Sequence, residues 1–155
     1  MEGDQILLAM KKRGFGAGFW NGVGGKAKLG ESVSIAVRRE AWEEIGIHVI
    51  EAEKVALLHF YFPEDEGKKD WNQDVHVFFI KRWLGKPKES EEMNPQWFKI
   101  DDLPFEEMWA DDRFWLPRVL LGEKIEGWFR FDEKTGLLDQ EIKNVEEGGK
   151  IFGEG

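Results

Sequence analysis

The feature that most narrows what this chain can become runs from Gly25 to Ile47. It reads as a glycine, five residues, Glu31, seven residues, then Arg39, Glu40, Ala41, Trp42, Glu43, Glu44, Ile45, Gly46 and Ile47. Residues 32–45 contain no Gly or Pro and have helix-forming composition, and Gly46 supplies the stop expected after a last turn. Residues of a helix advance by about 100° each, so Glu40, Glu43 and Glu44 fall within an arc of roughly 100°. The apolar set Val33, Ala36, Val37, Ala41 and Ile45 occupies an overlapping arc, which places the carboxylates beside the buried stripe rather than opposite it. Carboxylates crowded at a partly buried edge repel one another and lose hydration, a conflict that a cation resolves. Oxygen ligands with no cysteine or nearby histidine suit a hard ion, Mg2+ or Mn2+, that bridges phosphates. Arg39 stands four residues before Glu43, the spacing of a helical ion pair. On spacing alone, an ordinary acidic helix with surface ion pairs explains the cluster equally well.

The full pattern decides between them. It resembles the Nudix box at each of nine specified positions over 23 residues, a far more specific match than a lone glycine motif. The resemblance implies an α/β fold, an α/β/α sandwich with a mixed β-sheet, in which the box forms a loop, helix and loop that hold the metal. It implies a hydrolase that cleaves a nucleoside diphosphate linked to another group, with water attacking phosphorus. By the same resemblance, Glu40, Glu43 and Glu44 are metal ligands, the Gly24 carbonyl adds a further oxygen, and Arg39 with Glu31 braces loop against helix. Which glutamate serves as base stays open.

Four further segments are similar to one branch of that family, the oxidised-purine nucleoside triphosphatases: KKRGFGAGFWNGVGGK at 11–26, DVHVF at 74–78, SEEM at 90–93 and PFEEMWADD at 104–112. They keep order and near-equal spacing over about residues 6–145. This implies conversion of 8-oxo-dGTP and 2-oxo-dATP to monophosphate and pyrophosphate. A purine needs apolar faces to stack on and a few polar groups to read its edge. Trp109 and Phe15 suit the stacking, and Asn21 offers both donor and acceptor. Asp111 and Asp112 can present one neutral and one ionised carboxyl if mutual repulsion raises one pKa. The bland alternative is that this pair caps the helix that follows. Phe60 and Phe62 are candidates for a rim, Lys11 for a phosphate-facing group, and Glu92 for an extra metal carboxylate from a later loop. Against these stand a solvated lysine at a strand end and a solvated acidic turn at 89–92. Trp97 and Trp115 read as core or pocket wall, and His76 as a satisfied core histidine.

Composition bounds the partners. A formal charge of −9 over 155 residues repels polyphosphate backbones and offers no basic stripe for polynucleotide or anionic membrane. A small anionic nucleotide then needs a cation or a local basic patch. The absence of cysteine excludes disulfides, thiolate catalysis and cysteine zinc sites, and fits a reducing, cytoplasmic setting. No stretch approaches the roughly 20 apolar residues of a membrane span.

Along the chain, strands are expected at 5–10, 49–62, 75–81 and 96–100, and a closing hairpin at 127–131 and 137–145. Between the first strand and the helix lies a loop in which seven residues of 14–30 are glycine. Residues 101–121 read as two helical pieces broken near Trp109 and Ala110, with Pro117 kinking or delaying the second. One domain over 1–145 is followed by a Gly- and Glu-rich tail, 146–155. Compared with the family, the usual first strand is expected to be missing, and the loop at 63–74 is expected to be longer. A monomer is the expectation from the resemblance, with self-association the alternative if a sheet is left incomplete. The rival readings are a broader nucleotide pyrophosphatase of the same family and a noncatalytic binding module. Asn21, Trp109, Asp111 and Asp112 argue against the first, and intact Glu43 and Glu44 against the second.

Overall fold

Helix α1 (Val33–Ile45) forms where capping chemistry brackets it. The Ser32 hydroxyl accepts a hydrogen bond from the Ile35 N–H at 3.2 Å, satisfying a donor that the first turn leaves unpaired. At the other end Gly46 turns into the left-handed region, φ 72°, and its N–H donates to the Trp42 carbonyl at 3.0 Å. In this computed structural model the described residues are 2–14, 17–22, 29–63 and 72–145. The expectations placed on Phe15, Gly24, Gly25, most of the 63–74 loop and the tail lie outside them.

The described residues fall into two compact units, one drawing on the chain up to 53 and on 79–109, the other on 54–78 and the chain from 110. In the first unit, β1 (Gln5–Lys11) lies between β2 (Trp20–Asn21) and β5 (Met93–Lys99) and is antiparallel to both. Pro95 sits in β5, an edge strand of this sheet, where its missing N–H interrupts no ladder. Helix α1 packs on β5. Ala9, Ala41, Ile45, Ile47, Val49 and Met93 form the buried core there. Val33 and Val37 are only partly buried, so the stripe on α1 is narrower than its sequence suggests.

A second sheet has the order β4-β3-β6-β7, with β3 spanning His48–Tyr61, β4 Gln73–Leu84, β6 Ile125–Phe131 and β7 Leu137–Asn144. It is mixed, because β3 and β6 run parallel and β6 and β7 antiparallel, as an α/β fold of this kind requires. The β3–β6 register sorts the side chains by face. Ala56, Leu58 and Phe60 lie level with Ile125, Gly127 and Phe129, while Leu57, His59 and Tyr61 lie level with Glu126, Trp128 and Arg130. The first set supplies most of the apolar packing: Phe129 and Ile125 are fully buried, and α2 (Asp112–Leu120) packs on β6. Gly127 is required there, since a Cβ would lie 2.7 Å from the Phe129 ring. The closing hairpin turns where expected, with Thr135 at φ 64° and the Asp132 carboxylate accepting from the Lys134 and Gly136 N–H groups, both at 2.8 Å.

Two expectations need correction. Pro117 does not delay α2, which starts five residues before it; the one lost bond belongs to the Arg113 carbonyl in the exposed first turn. The glycine-rich segment is also not loop throughout, because Trp20 and Asn21 pair with Met10 and Ala9, and Trp20 packs edge-on against Phe98 at 4.8 Å.

Candidate active site

Within the first unit, α1 gathers the acidic cluster. Arg39 is its hub: Nε donates to Glu31 at 2.8 Å and Nη2 to the other Glu31 oxygen at 3.0 Å, a bidentate pair that ties the segment before the helix to its second turn. Nη1 reaches Glu40 at 2.7 Å and Glu43 at 3.0 Å, the latter across the i, i+4 spacing. These carboxylates hold the guanidinium in its charged form, with Glu31 the strongest influence and desolvation opposing it. Arg38 turns away and donates to the Val49 carbonyl at 2.5 Å. Burial grades across the cluster. Glu44 is 5% exposed, the Glu40 side chain 15% and the Glu43 side chain 50%. A charged residue is seldom this buried without a purpose.

Among the described residues no three acidic or imidazole groups form a closed metal cage. The chemistry of the donor set nonetheless fits a divalent cation: three carboxylates on one helix face, oxygen-only, with Glu40 and Glu43 already turned toward a shared positive group. Glu92 lies in the turn before β5, where the Ser90 hydroxyl accepts from the Met93 N–H at 3.2 Å. Its side chain is 55% exposed and lies 3.6 Å from Arg13. Lys11 closes β1, half-buried, and its N–H donates to the Phe19 carbonyl at 3.1 Å. The Asn21 side-chain amide donates to that same carbonyl at 2.8 Å, which fixes its orientation. Phe19 in turn packs at a tilt on Trp109, with ring centroids 5.3 Å apart.

In the second unit Asp111 is 2% exposed and begins α2. Its side chain makes no capping bond. Instead it accepts a hydrogen bond from the Trp115 indole N–H at 2.7 Å. The capping explanation for the pair therefore fails at Asp111, and Trp115, expected only as wall, is the group that orients it. Desolvation pushes the Asp111 carboxyl up, partly offset by Trp115 and Asp112. Asp112 is pushed well above the ordinary carboxylate range, first by desolvation, then by the charge of Asp111 and a hydrogen bond to it. Two carboxyls so placed resist being ionised together. Phe60 and Phe62 face Phe129 and Phe131, and Phe62 stacks on Phe131 at 4.9 Å. Phe62 is only 8% exposed, which makes it core packing rather than an open rim. His76 is not the satisfied core histidine expected, since its buried Nδ1 has no hydrogen-bond partner among the described residues. Sequence reading also passed over His59, bracketed by Asp74 and Glu126.

Comparison with known proteins shows the family. The model of the NUDIX domain matches residues 1–119. The oxidized purine nucleoside triphosphate hydrolase of Danio rerio is 43% identical over 143 residues, covering 92% of this chain and 89% of that protein. That of Mus musculus is 41% identical over 146 residues, covering 94% and 91%. Among solved structures, the MutT protein of Bacillus halodurans superposes with a TM-score of 0.76 at 31% identity, covering 90% of each chain. No helix among the described residues is long and apolar enough to cross a membrane. With Arg39–Ile45 of the box on a capped helix and the domain model matching most of the chain, the protein belongs to the Nudix family of hydrolases.

Proposed function

We propose that this protein hydrolyses oxidised purine nucleoside triphosphates, 8-oxo-dGTP and 2-oxo-dATP, to the monophosphate and pyrophosphate, and so clears damaged nucleotides from the pool. The observation that carries the reading is Asp111, 2% exposed and hydrogen-bonded by the Trp115 indole, with Asp112 beside it, in a chain that also bears the full acidic box. The similarity to two animal hydrolases of oxidized purine nucleoside triphosphates, at 41–43% identity over nearly the whole chain, supports it.

In this reading Glu40, Glu43 and Glu44 hold Mg2+, with Mn2+ as a substitute, and the Gly24 carbonyl and Glu92 complete the oxygen set. When bound, the ion supplies charge neutralisation for the phosphates and acidifies water. One of the box glutamates takes the proton of the attacking water. Arg39, locked to Glu31 by two bonds, fixes the orientation of Glu40 and Glu43. Lys11 faces the phosphates. Trp109 and Phe15 are the groups that stack on the base, and Phe60 adds apolar surface to it. The Asp111–Asp112 pair offers one shared proton and its remaining carboxylate oxygens to the base edge, and Asn21 adds one donor and one acceptor. A neutral and a charged carboxyl side by side serve both guanine-type and adenine-type lesions. The working form is taken to be a monomer acting on a free nucleotide in the cytoplasm.

The test is product analysis. With Mg2+ and 8-oxo-dGTP, chromatography should find the monophosphate and pyrophosphate in equal amounts, and chelation by EDTA should stop the reaction. Release of diphosphate and inorganic phosphate, or turnover that survives EDTA, would overturn the assignment.

A further inference from the structure

On the sheet face opposite Phe60, His59 stands between two carboxylates. Its Nδ1 lies 2.6 Å from an Asp74 oxygen and its Nε2 lies 2.7 Å from a Glu126 oxygen. These contacts join three strands: His59 is on β3, Asp74 starts β4, and Glu126 is on β6, 67 residues away in sequence. A neutral imidazole has one N–H, so it can donate to only one of the two carboxylates and must turn a lone pair toward the other. Two contacts this short are both favourable only when the ring carries two protons, which makes both bonds charge-assisted.

The surroundings shape what happens when the proton leaves. The His59 side chain is 15% exposed and that of Glu126 12%, but that of Asp74 is 65% exposed. A carboxylate in water loses little by giving up its partner, whereas a shielded one loses a great deal. The single remaining proton therefore stays on Nε2, toward Glu126, and the Asp74 contact is the one that lets go. Beneath His59 the Trp128 ring stacks at 5.4 Å. From β7, Lys143 lies 5.5 Å from that ring, and Glu141 lies level with Trp128 and 3.9 Å from Lys143. From β4, His76 faces the same cluster, held neutral by desolvation and by the charge of Lys54. For His59 itself, desolvation opposes the charge, but the bonds to Glu126 and Asp74 outweigh it and raise its pKa above 6.5.

We propose that His59 is a proton-operated latch: as an imidazolium it fastens the first residues of β4 to β3 and β6, and on losing its proton it keeps Glu126 and releases Asp74. The Phe62 N–H donates to the Asn72 side chain at 2.6 Å, a further side-chain tie at this end of β4 beside the pairing of β4 with β3. The stabilisation has a definite sign. A group whose pKa is raised on folding contributes fully below its unfolded pKa and loses that contribution as pH rises through the folded value.

The chain has three histidines, so long-range 1H–15N correlation spectra of the intact protein can follow each ring through a pH titration. The expected result is a His59 ring with both nitrogens protonated at neutral pH and a midpoint above 6.5. On deprotonation, Nε2 should retain the proton. In Asp74→Asn the midpoint should fall while Nε2 remains the protonated site, and the alkaline loss of thermal stability seen in the parent should shrink. A ring that titrates at or below 6.5, or one that keeps its last proton on Nδ1, would overturn the latch. The first would mean the charge is never held, and the second that Asp74 is the stronger partner.

Discussion

Replacing Trp115 by Phe isolates the group that orients the acidic pair. The substitution keeps an aromatic ring against α2 but deletes the indole N–H that donates to Asp111 at 2.7 Å. Asp111 is 2% exposed, so water cannot take over that bond. A hydrogen bond to a charged group contributes about 1.5–3 kcal/mol, and the smaller ring forfeits on the order of another 1 kcal/mol of burial. For a chain of this length that total of about 3 kcal/mol corresponds to a fall of roughly 6–12 °C in Tm. The pH dependence separates the bond from the packing. Trp115 favours the ionised form of Asp111 against desolvation, which pushes that carboxyl up. A carboxyl whose pKa is raised on folding loses stability as pH climbs from the unfolded through the folded value, and removing the donor raises it further. The deficit of Trp115→Phe should therefore be larger in mildly alkaline than in mildly acidic buffer. Differential scanning calorimetry at both would measure it. An equal deficit at both pH values would refute the reasoning and leave Trp115 as packing alone.

Glu44→Gln should nearly abolish turnover while leaving the Tm close to that of the parent, because the amide keeps the shape of a side chain that is 5% exposed. Retained activity, measured as pyrophosphate release, would remove Glu44 from the cation site. Asp112→Asn should raise stability at neutral pH and flatten its decline with rising pH, since the parent carboxyl is held well above its ordinary range mainly by desolvation. The same variant should shift the preference between 8-oxo-dGTP and 2-oxo-dATP. A lower Tm at every pH with unchanged preference would reduce Asp112 to a helix-start residue.

What could be read from the sequence follows the range of the interactions involved. Helix α1 was legible because its start and stop are written in Ser32 and Gly46, and because Arg39 and Glu43 are four residues apart on one face. The β6–β7 hairpin was legible for the same reason, with Asp132, Thr135 and Gly136 marking a turn that closes on itself. The short strand β2 was not, since two residues inside a glycine-rich run carry no periodicity and pair only because β1 offers an edge. The expected delay at Pro117 fails because local propensity counts the lost bond but not its place in an exposed first turn. Phe62 read as a rim because its apolar character is visible in sequence and its stacking on Phe131, across two strands, is not. The bracket around His59 joins residues 67 apart and depends on the β3–β6 register, which no local pattern specifies. Trp115 lies four residues after Asp111 on one helix turn, so that contact was within reach of spacing rules; the reading of tryptophan as wall hid it.

The most direct test of the central claim is substrate discrimination by the unmodified protein. With Mg2+, kcat/KM for 8-oxo-dGTP should exceed that for dGTP by at least about tenfold, because a site that reads the altered edge through the Asp111–Asp112 pair leaves buried polar groups unmatched when the normal base binds. Equal kcat/KM for the two nucleotides would contradict the account and leave a Nudix pyrophosphatase with no preference for the oxidised base.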